Sequence, residues 1–219
     1  GAKQRTGVLE ISAACGLSRV PRERRNPALA TSYGVGDLIL KVLDLGAERI
    51  LVGCGDSGVN DGGAGMVQAL GGRLRDDSGQ DIAFGGAALS TLRSIDLESL
   101  DPRLATVAID VTVNWHNNLL GPHGVTRVYG PQKGATPEQI AQLEAALTRF
   151  AALILETTGI DVANANGTGA SGGLGAAFAG LIGAKLYARY DVVMQYLGFD
   201  AMLAGADVVL TAEGSLDRQ

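Results

Sequence analysis

The stretch Gly53-Cys54-Gly55-Asp56-Ser57-Gly58-Val59-Asn60-Asp61-Gly62-Gly63-Ala64-Gly65 follows the apolar run Arg49-Ile50-Leu51-Val52 without a spacer, and that junction constrains the fold more than any other. A β-branched run ending in a glycine-dense turn reads as a buried strand that delivers a loop to one edge of a sheet, where α/β folds bind ligands. Glycines let the backbone approach an anion closely, hydroxyl and amide groups orient it, and a carboxylate holds a metal or takes a proton. Asp56, Ser57, Asn60 and Asp61 are the polar residues available for that chemistry.

A second corner, Asn166-Gly167-Thr168-Gly169-Ala170-Ser171-Gly172-Gly173-Leu174-Gly175, opens an Ala- and Gly-rich helix through Ile182. Free N–H groups and the helix dipole favour an anion there, although the lysine of a Walker A loop is missing. Thr168, Gly169, Ser171, Gly172 and Gly173 are therefore candidate phosphate- or substrate-binding residues, beside Ser57, Gly58, Asn60, Gly62 and Gly63 of the first corner. The 32 glycines lack a three-residue period and sit among Leu, Ile, Val and Ala, which excludes collagen and flexible linkers. Two explanations for the clusters stay open: close approach to a ligand, or tight packing of helix on sheet.

At 219 residues and 46% hydrophobic content, the chain suits one α/β domain with a substantial core. No run reaches the ~18 apolar residues of a membrane helix, and the first residues lack a signal-peptide h-region. Cys15 and Cys54 are too few for a disulfide framework or zinc knuckle, so a cytoplasmic setting is expected. A net charge of −5 argues against nucleic acid as the main partner.

In chain order, residues 8–12 alternate as a strand, Thr31 and Ser32 offer caps for a helix carrying Leu38, Ile39, Val42 and Leu43, and strand 49–52 follows. Strand, helix, strand predicts an α/β fold with a mixed sheet flanked by helices. Asp61 is either the N-cap of a helix carrying Met66, Val67 and Leu70, or a catalytic or metal-ligating carboxylate. Residues 73–90 read as a turn or hairpin around Asp76-Asp77-Ser78-Gly79, and 107–113 as a strand. The loop after it holds both histidines, His116 and His123, whose spacing fits no metal site and predicts surface or capping roles. Gly130-Pro131-Gln132-Lys133-Gly134 presents one lysine, either toward a phosphate or as an exposed turn residue. Thr136-Pro137-Glu138-Gln139 is a capping-box helix start, with Ile140, Leu143, Leu147, Phe150 and Ile154 on one face. Residues 206–210 read as a last strand, delivering Glu213 and Asp217.

These corners, taken together, resemble the type I bacterial glycerate kinase family from about Thr6 onward. The resemblance is carried by Asn26-Pro27 with Thr31-Ser32-Tyr33-Gly34-Val35-Gly36, by Asn60-Asp61-Gly62-Gly63-Ala64-Gly65-Met66, by Gly130-Pro131-Gln132-Lys133-Gly134-Ala135-Thr136-Pro137, by Gly169-Ala170-Ser171-Gly172-Gly173-Leu174-Gly175, and by Glu213-Gly214 with Asp217 and Gln219. It implies ATP- and magnesium-dependent phosphoryl transfer to a hydroxyl of D-glycerate, in a two-domain α/β protein. Residues 1–219 are then the inserted domain, with 206–219 belonging to a second, incomplete domain. ATP and D-glycerate are the expected partners, with no nucleic acid or membrane, and a homodimer is the one assembly entertained. In this reading Ser57 and the 58–63 backbone hold an anionic group and Lys133 neutralises the transferring phosphate. Asp61 or Asp217 serves as base, and Asp61, Glu213 and Asp217 are the magnesium ligands.

The sequence departs from the family pattern at Gly55-Asp56-Ser57-Gly58-Val59, where the family usually reads Gly-Gly-Ser-Ala-Thr. Val113-Asn114 replaces a Cys-Asp pair, and Asn117-Asn118 replaces Asn-Pro. Two other readings remain: a non-catalytic, diverged domain, and a nicotinamide-dependent oxidoreductase suggested by Gly53-x-Gly55-x-x-Gly58 with Asp76 ~20 residues on.

Overall fold

The computed structural model describes residues 5–210. The elements run β1 (Thr6–Glu10), α1 (Ser12–Cys15), α2 (Tyr33–Asp44), β2 (Arg49–Gly53), α3 (Ala64–Ala69), β3 (Arg73–Arg75), β4 (Ser94–Asp96) and β5 (Ala108–Val113). They continue with α4 (Val125–Tyr129), α5 (Pro137–Thr158), α6 (Ala170–Leu181), β6 (Lys185–Ala188), α7 (Arg189–Leu197) and α8 (Phe199–Leu203).

The main sheet has the order β1-β2-β5-β6, and every pairing in it is parallel. The expected mixed sheet is thereby corrected. Antiparallel pairing is confined to a separate two-stranded unit of β3 and β4, because the short segments around the Asp76 turn pair with each other and not with the core strands. That turn is closed by Asp76 Oδ1, which accepts hydrogen bonds from Ser78 N, Ser78 Oγ and Gln80 N.

The sheet winds in one direction without reversal. Parallel crossovers are right-handed almost without exception, so such winding lays them on one face. Burial follows: Ile50 and Val52 of β2 pair in register with Ile109 and Val111 of β5, and all four are buried against the core formed by Ile39 of α2, Met66 of α3, Phe150 of α5 and Phe178 of α6. Each such side chain contributes roughly 1.5–3 kcal/mol of transfer free energy. On the other face Val8 is 72% exposed. There α7 lays Val192 and Leu197 along an apolar trough that also exposes Leu51 and Thr112.

α5 matches its expectation closely. Thr136 Oγ1 accepts from Gln139 N while Gln139 Oε1 accepts from Thr136 N, Pro137 occupies the first turn, and Leu143, Leu147, Phe150 and Ile154 are buried. Two expectations near the carboxyl end fail. Residues 185–188 form the unforeseen fourth strand, whereas 206–210 form none: Val208, Val209 and Leu210 are exposed, and no strand edge among the described residues pairs with them. Glu213 and Asp217 lie outside the described residues.

Candidate active site

Three adjacent strands end at one cleft, as expected for the carboxyl edge of a parallel sheet. β2 delivers Cys54, Gly55, Asp56 and Ser57, β5 delivers Asn114 and Asn117, and β6 delivers Arg189. The cleft measures about 160 Å³ and is closed by Tyr129 at the end of α4, by Lys133 and by Ser171 at the start of α6.

Lys133 forms its floor. A single 3₁₀ turn over Pro131–Lys133, stopped by Gly134 at φ 91°, turns the side chain inward, leaving it 3% exposed. Its ammonium donates to the Val59 carbonyl at 2.7 Å and to Ser57 Oγ at 3.1 Å. Burial pulls the ammonium down to about 8, opposed by the negative fields of Asp61 and Asp56. The same burial pushes the Cys54 thiol up to about 11 and Cys15 up to about 12, so neither is a thiolate at neutral pH.

The two glycine corners lock onto each other. Gly62 N donates to Gly172 O at 3.0 Å. A Cβ on Gly172 would stand 2.0 Å from the Val59 carbonyl oxygen, and one on Gly173 would stand 2.8 Å from the Gly62 Cα. Backbone therefore packs on backbone at this lock, and close packing accounts for the second cluster and for Gly62, Gly63 and Gly65 of the first, whereas a Cβ on Gly53, Gly55 or Gly58 would meet nothing closer than an ordinary contact. The lock also shapes α6. Ser171, Gly172 and Gly173 take left-handed conformations, so the helix proper starts after them and its N-terminus is not the open anion nest expected from sequence. Ser171, at φ 54°, holds its hydroxyl beside the Cys54 sulfur with no hydrogen bond of regular geometry. Asp56, at φ 48°, is the other non-glycine residue in this conformation among the described residues. Two strained residues thus face the same cleft.

Asp61 is fully buried beneath the cleft. Its Oδ2 accepts from Ser32 N at 2.7 Å, Ser32 Oγ at 2.9 Å and Gly65 N at 3.3 Å, while Oδ1 accepts from Gly63 N at 3.1 Å. Desolvation raises its carboxyl above the usual range, and these donors pull it back. Ser32 Oγ in turn accepts from Met66 N, so one carboxylate and one hydroxyl join the starts of α2 and α3. This is the capping arrangement, extended to two helices, with both carboxylate oxygens accepting hydrogen bonds from the fold.

The profile of the Glycerate kinase family matches residues 1–219. The chain belongs to the glycerate kinase family. It is 46% identical over 215 residues to the Glycerate kinase of Bacillus subtilis (strain 168), covering 98% of this chain and 56% of that protein. Against the Glycerate 2-kinase of Escherichia coli (strain K12) the identity is 43% over 215 residues, covering 98% and 56%. The crystal structure of a candidate glycerate kinase 2 from Salmonella typhimurium LT2 superposes with a TM-score of 0.87 at 50% identity, covering 93% of this chain and 54% of that one. The chain thus spans about half the length of the curated relatives it matches.

Within this glycerate kinase family fold, the structure brings Ser57, Lys133, Ser171 and Gly172 of the sequence-derived site residues to the cleft. Asn60, Asp61, Gly62, Gly63, Thr168, Gly169 and Gly173 lie behind it. Asn60 Nδ2 donates to Thr126 Oγ1 at 2.9 Å, tying the first corner to α4, and Thr168 Oγ1 donates to Ala165 O at 2.7 Å. Gly169 serves packing, since a Cβ there would stand 2.1 Å from the Asn118 carbonyl oxygen, whereas one on Gly58 would meet Leu17 only at an ordinary 3.4 Å. Both histidines are exposed, in keeping with a surface role.

Sequence reasoning missed Arg189 because it missed β6. The signal was present in the alternating Ala184-Lys185-Leu186-Tyr187-Ala188, where a strand would have put the next residue on the ligand edge. The dinucleotide alternative loses its footing. A crevice of that type sits where strand order reverses, this order does not reverse, and Asp76 is occupied closing its own turn.

Proposed function

We propose that this chain is the acceptor-binding part of a glycerate kinase, which transfers a phosphoryl group from ATP to a hydroxyl of D-glycerate. The observation that carries the reading is the family match across residues 1–219. A small cationic cleft at the carboxyl edge of the sheet supports it. The chain corresponds to the inserted domain of a two-domain kinase, and the lengths of the relatives leave room for the other domain to contribute.

ATP, when bound, supplies the phosphoryl group, and magnesium neutralises its charge. The described residues fit neither in full. A cleft of about 160 Å³ is smaller than the ~300–1,000 Å³ that bury a drug-sized ligand. Among the described residues no three His, Cys, Asp or Glu side chains converge on a metal position. Among the described residues Asp56 is the one carboxylate lining the cleft, and both Asp61 oxygens accept backbone N–H bonds beneath it. What this chain's own residues do is hold and orient the acceptor. Lys133 supplies positive charge, Ser57 and Ser171 supply hydroxyls, and Asn114, Asn117 and Arg189 supply a polar wall.

A coupled ADP-release assay on D-glycerate, run on this chain and on a protein extended to the length of its relatives, tests the reading. Turnover by the longer protein is expected. Its absence, with D-glycerate and ATP both bound, would favour the diverged, non-catalytic alternative.

A further inference from the structure

Lys133 has three ammonium hydrogens, of which two are committed to Ser57 Oγ and the Val59 carbonyl. One remains. Because Ser57 Oγ accepts from Lys133, its own hydroxyl hydrogen is available to donate, and the buried Ser171 hydroxyl has no regular partner. Lys133, Ser57 and Ser171 all line the cleft, so it offers three donors and one positive charge to a bound ligand. This is the complement of a planar carboxylate with two oxygens.

Size points the same way. A buried cavity of about 150 Å³ accepts a benzene-sized ligand, so this cleft of about 160 Å³ suits a three-carbon acid and not a triphosphate. The other cation lining the cleft, Arg189, is exposed, and its planar fork suits phosphate oxygens above the opening.

We propose that Lys133, Ser57 and Ser171 form the subsite for the carboxylate of the hydroxy-acid acceptor, and that the nucleotide phosphates stay outside the cleft. This reassigns Lys133 from the transferring phosphate to substrate specificity, and it rests on the glycerate kinase reading above. The cleft would reject uncharged polyols, because glycerol in place of glycerate leaves a buried ammonium and two hydroxyls without an anion.

The test is calorimetric titration of D-glycerate, glycerol and a non-hydrolysable ATP analogue with magnesium, each into the full-length protein and its variants. Lys133→Met is expected to weaken D-glycerate about ten- to hundredfold, and Ser171→Ala and Ser57→Ala several-fold each. All three should leave analogue affinity within about twofold and narrow the preference for D-glycerate over glycerol. Loss of analogue binding with D-glycerate affinity unchanged would return Lys133 to the phosphate and overturn the proposal. Equal weakening of both ligands, or of neither, would also overturn it. A parent protein that binds the analogue but not D-glycerate would remove the kinase reading itself, a result distinct from these. Should Lys133→Met fail to fold, the two serine variants decide.

Discussion

Ser32 gives Asp61 two hydrogen bonds, from its backbone N at 2.7 Å and its hydroxyl at 2.9 Å, across 29 residues of chain. All of the groups meeting the two carboxylate oxygens are donors. Asp61→Asn must therefore set an amide N–H against at least one N–H. We expect a loss of about 2–4 kcal/mol, seen as a Tm fall of roughly 5–15 °C. D-glycerate affinity of the folded protein should change less than threefold. A hundredfold fall in affinity with Tm unchanged would put Asp61 back among the ligand-binding residues.

The lock between the corners makes a second prediction. Gly172 combines φ 74° with a Cβ position 2.0 Å from a carbonyl oxygen, whereas Gly79, at φ 77°, has nothing within 4 Å of its Cβ position. Gly79→Ala should cost only the left-handed strain, about 1 kcal/mol, and Gly172→Ala at least ~3 kcal/mol. Urea midpoints of the two variants separate conformational strain from collision.

Binding should depend on pH through Lys133. With its ammonium titrating at about 8 and the acceptor's carboxylate ionised throughout, D-glycerate affinity is expected to fall as pH rises through that value. Asp61 and Asp56 both favour the protonated ammonium, and Asp56 is the exposed one of the two. Asp56→Ser should consequently move the midpoint to lower pH. Titrations between pH 6 and roughly pH 10 would show it.

The same lysine should weaken the fold it serves. Its folded pKa of about 8 lies below the ordinary lysine value of 10.5, so from about pH 8 to pH 10.5 the unfolded chain holds more protons than the folded one. Stability contributed by this group accordingly rises with pH across that window. Near pH 7 the buried charge costs about 3 kcal/mol, partly offset by its two hydrogen bonds. Lys133→Met is expected to raise Tm by a few degrees at pH 7 and to flatten the rise toward pH 10. A lower Tm at pH 7 would show that the hydrogen bonds outweigh the burial.

The elements that local chemistry decides were legible in the sequence. The Thr136 capping box, the apolar stripe of α5 and the strand ending at the first glycine corner need only neighbours along the chain. What remained hidden depends on partners far away in sequence. Asp61 reads equally well as a cap or a metal ligand until Ser32 is known to close on it. Lys133 reads as an exposed turn residue until Val59 and Ser57 are known to receive it. The strand propensity of 206–210 misled for the same reason, since a strand is defined by its partner.

The interlocked corners also decide where this cleft can evolve. With the Gly172 Cα pressed on the Val59 carbonyl and the Gly173 Cα on Gly62, a single enlargement in either loop displaces the other, so gradual change has no small step to take there. Asp56, Asn114 and Arg189 are not held in that lock, and drift can sample them one at a time. Two of the departures from the family pattern, Asp56 and Asn114, fall among these residues, so a substitution at the rim changes the charge of the cleft without breaking the lock beneath it.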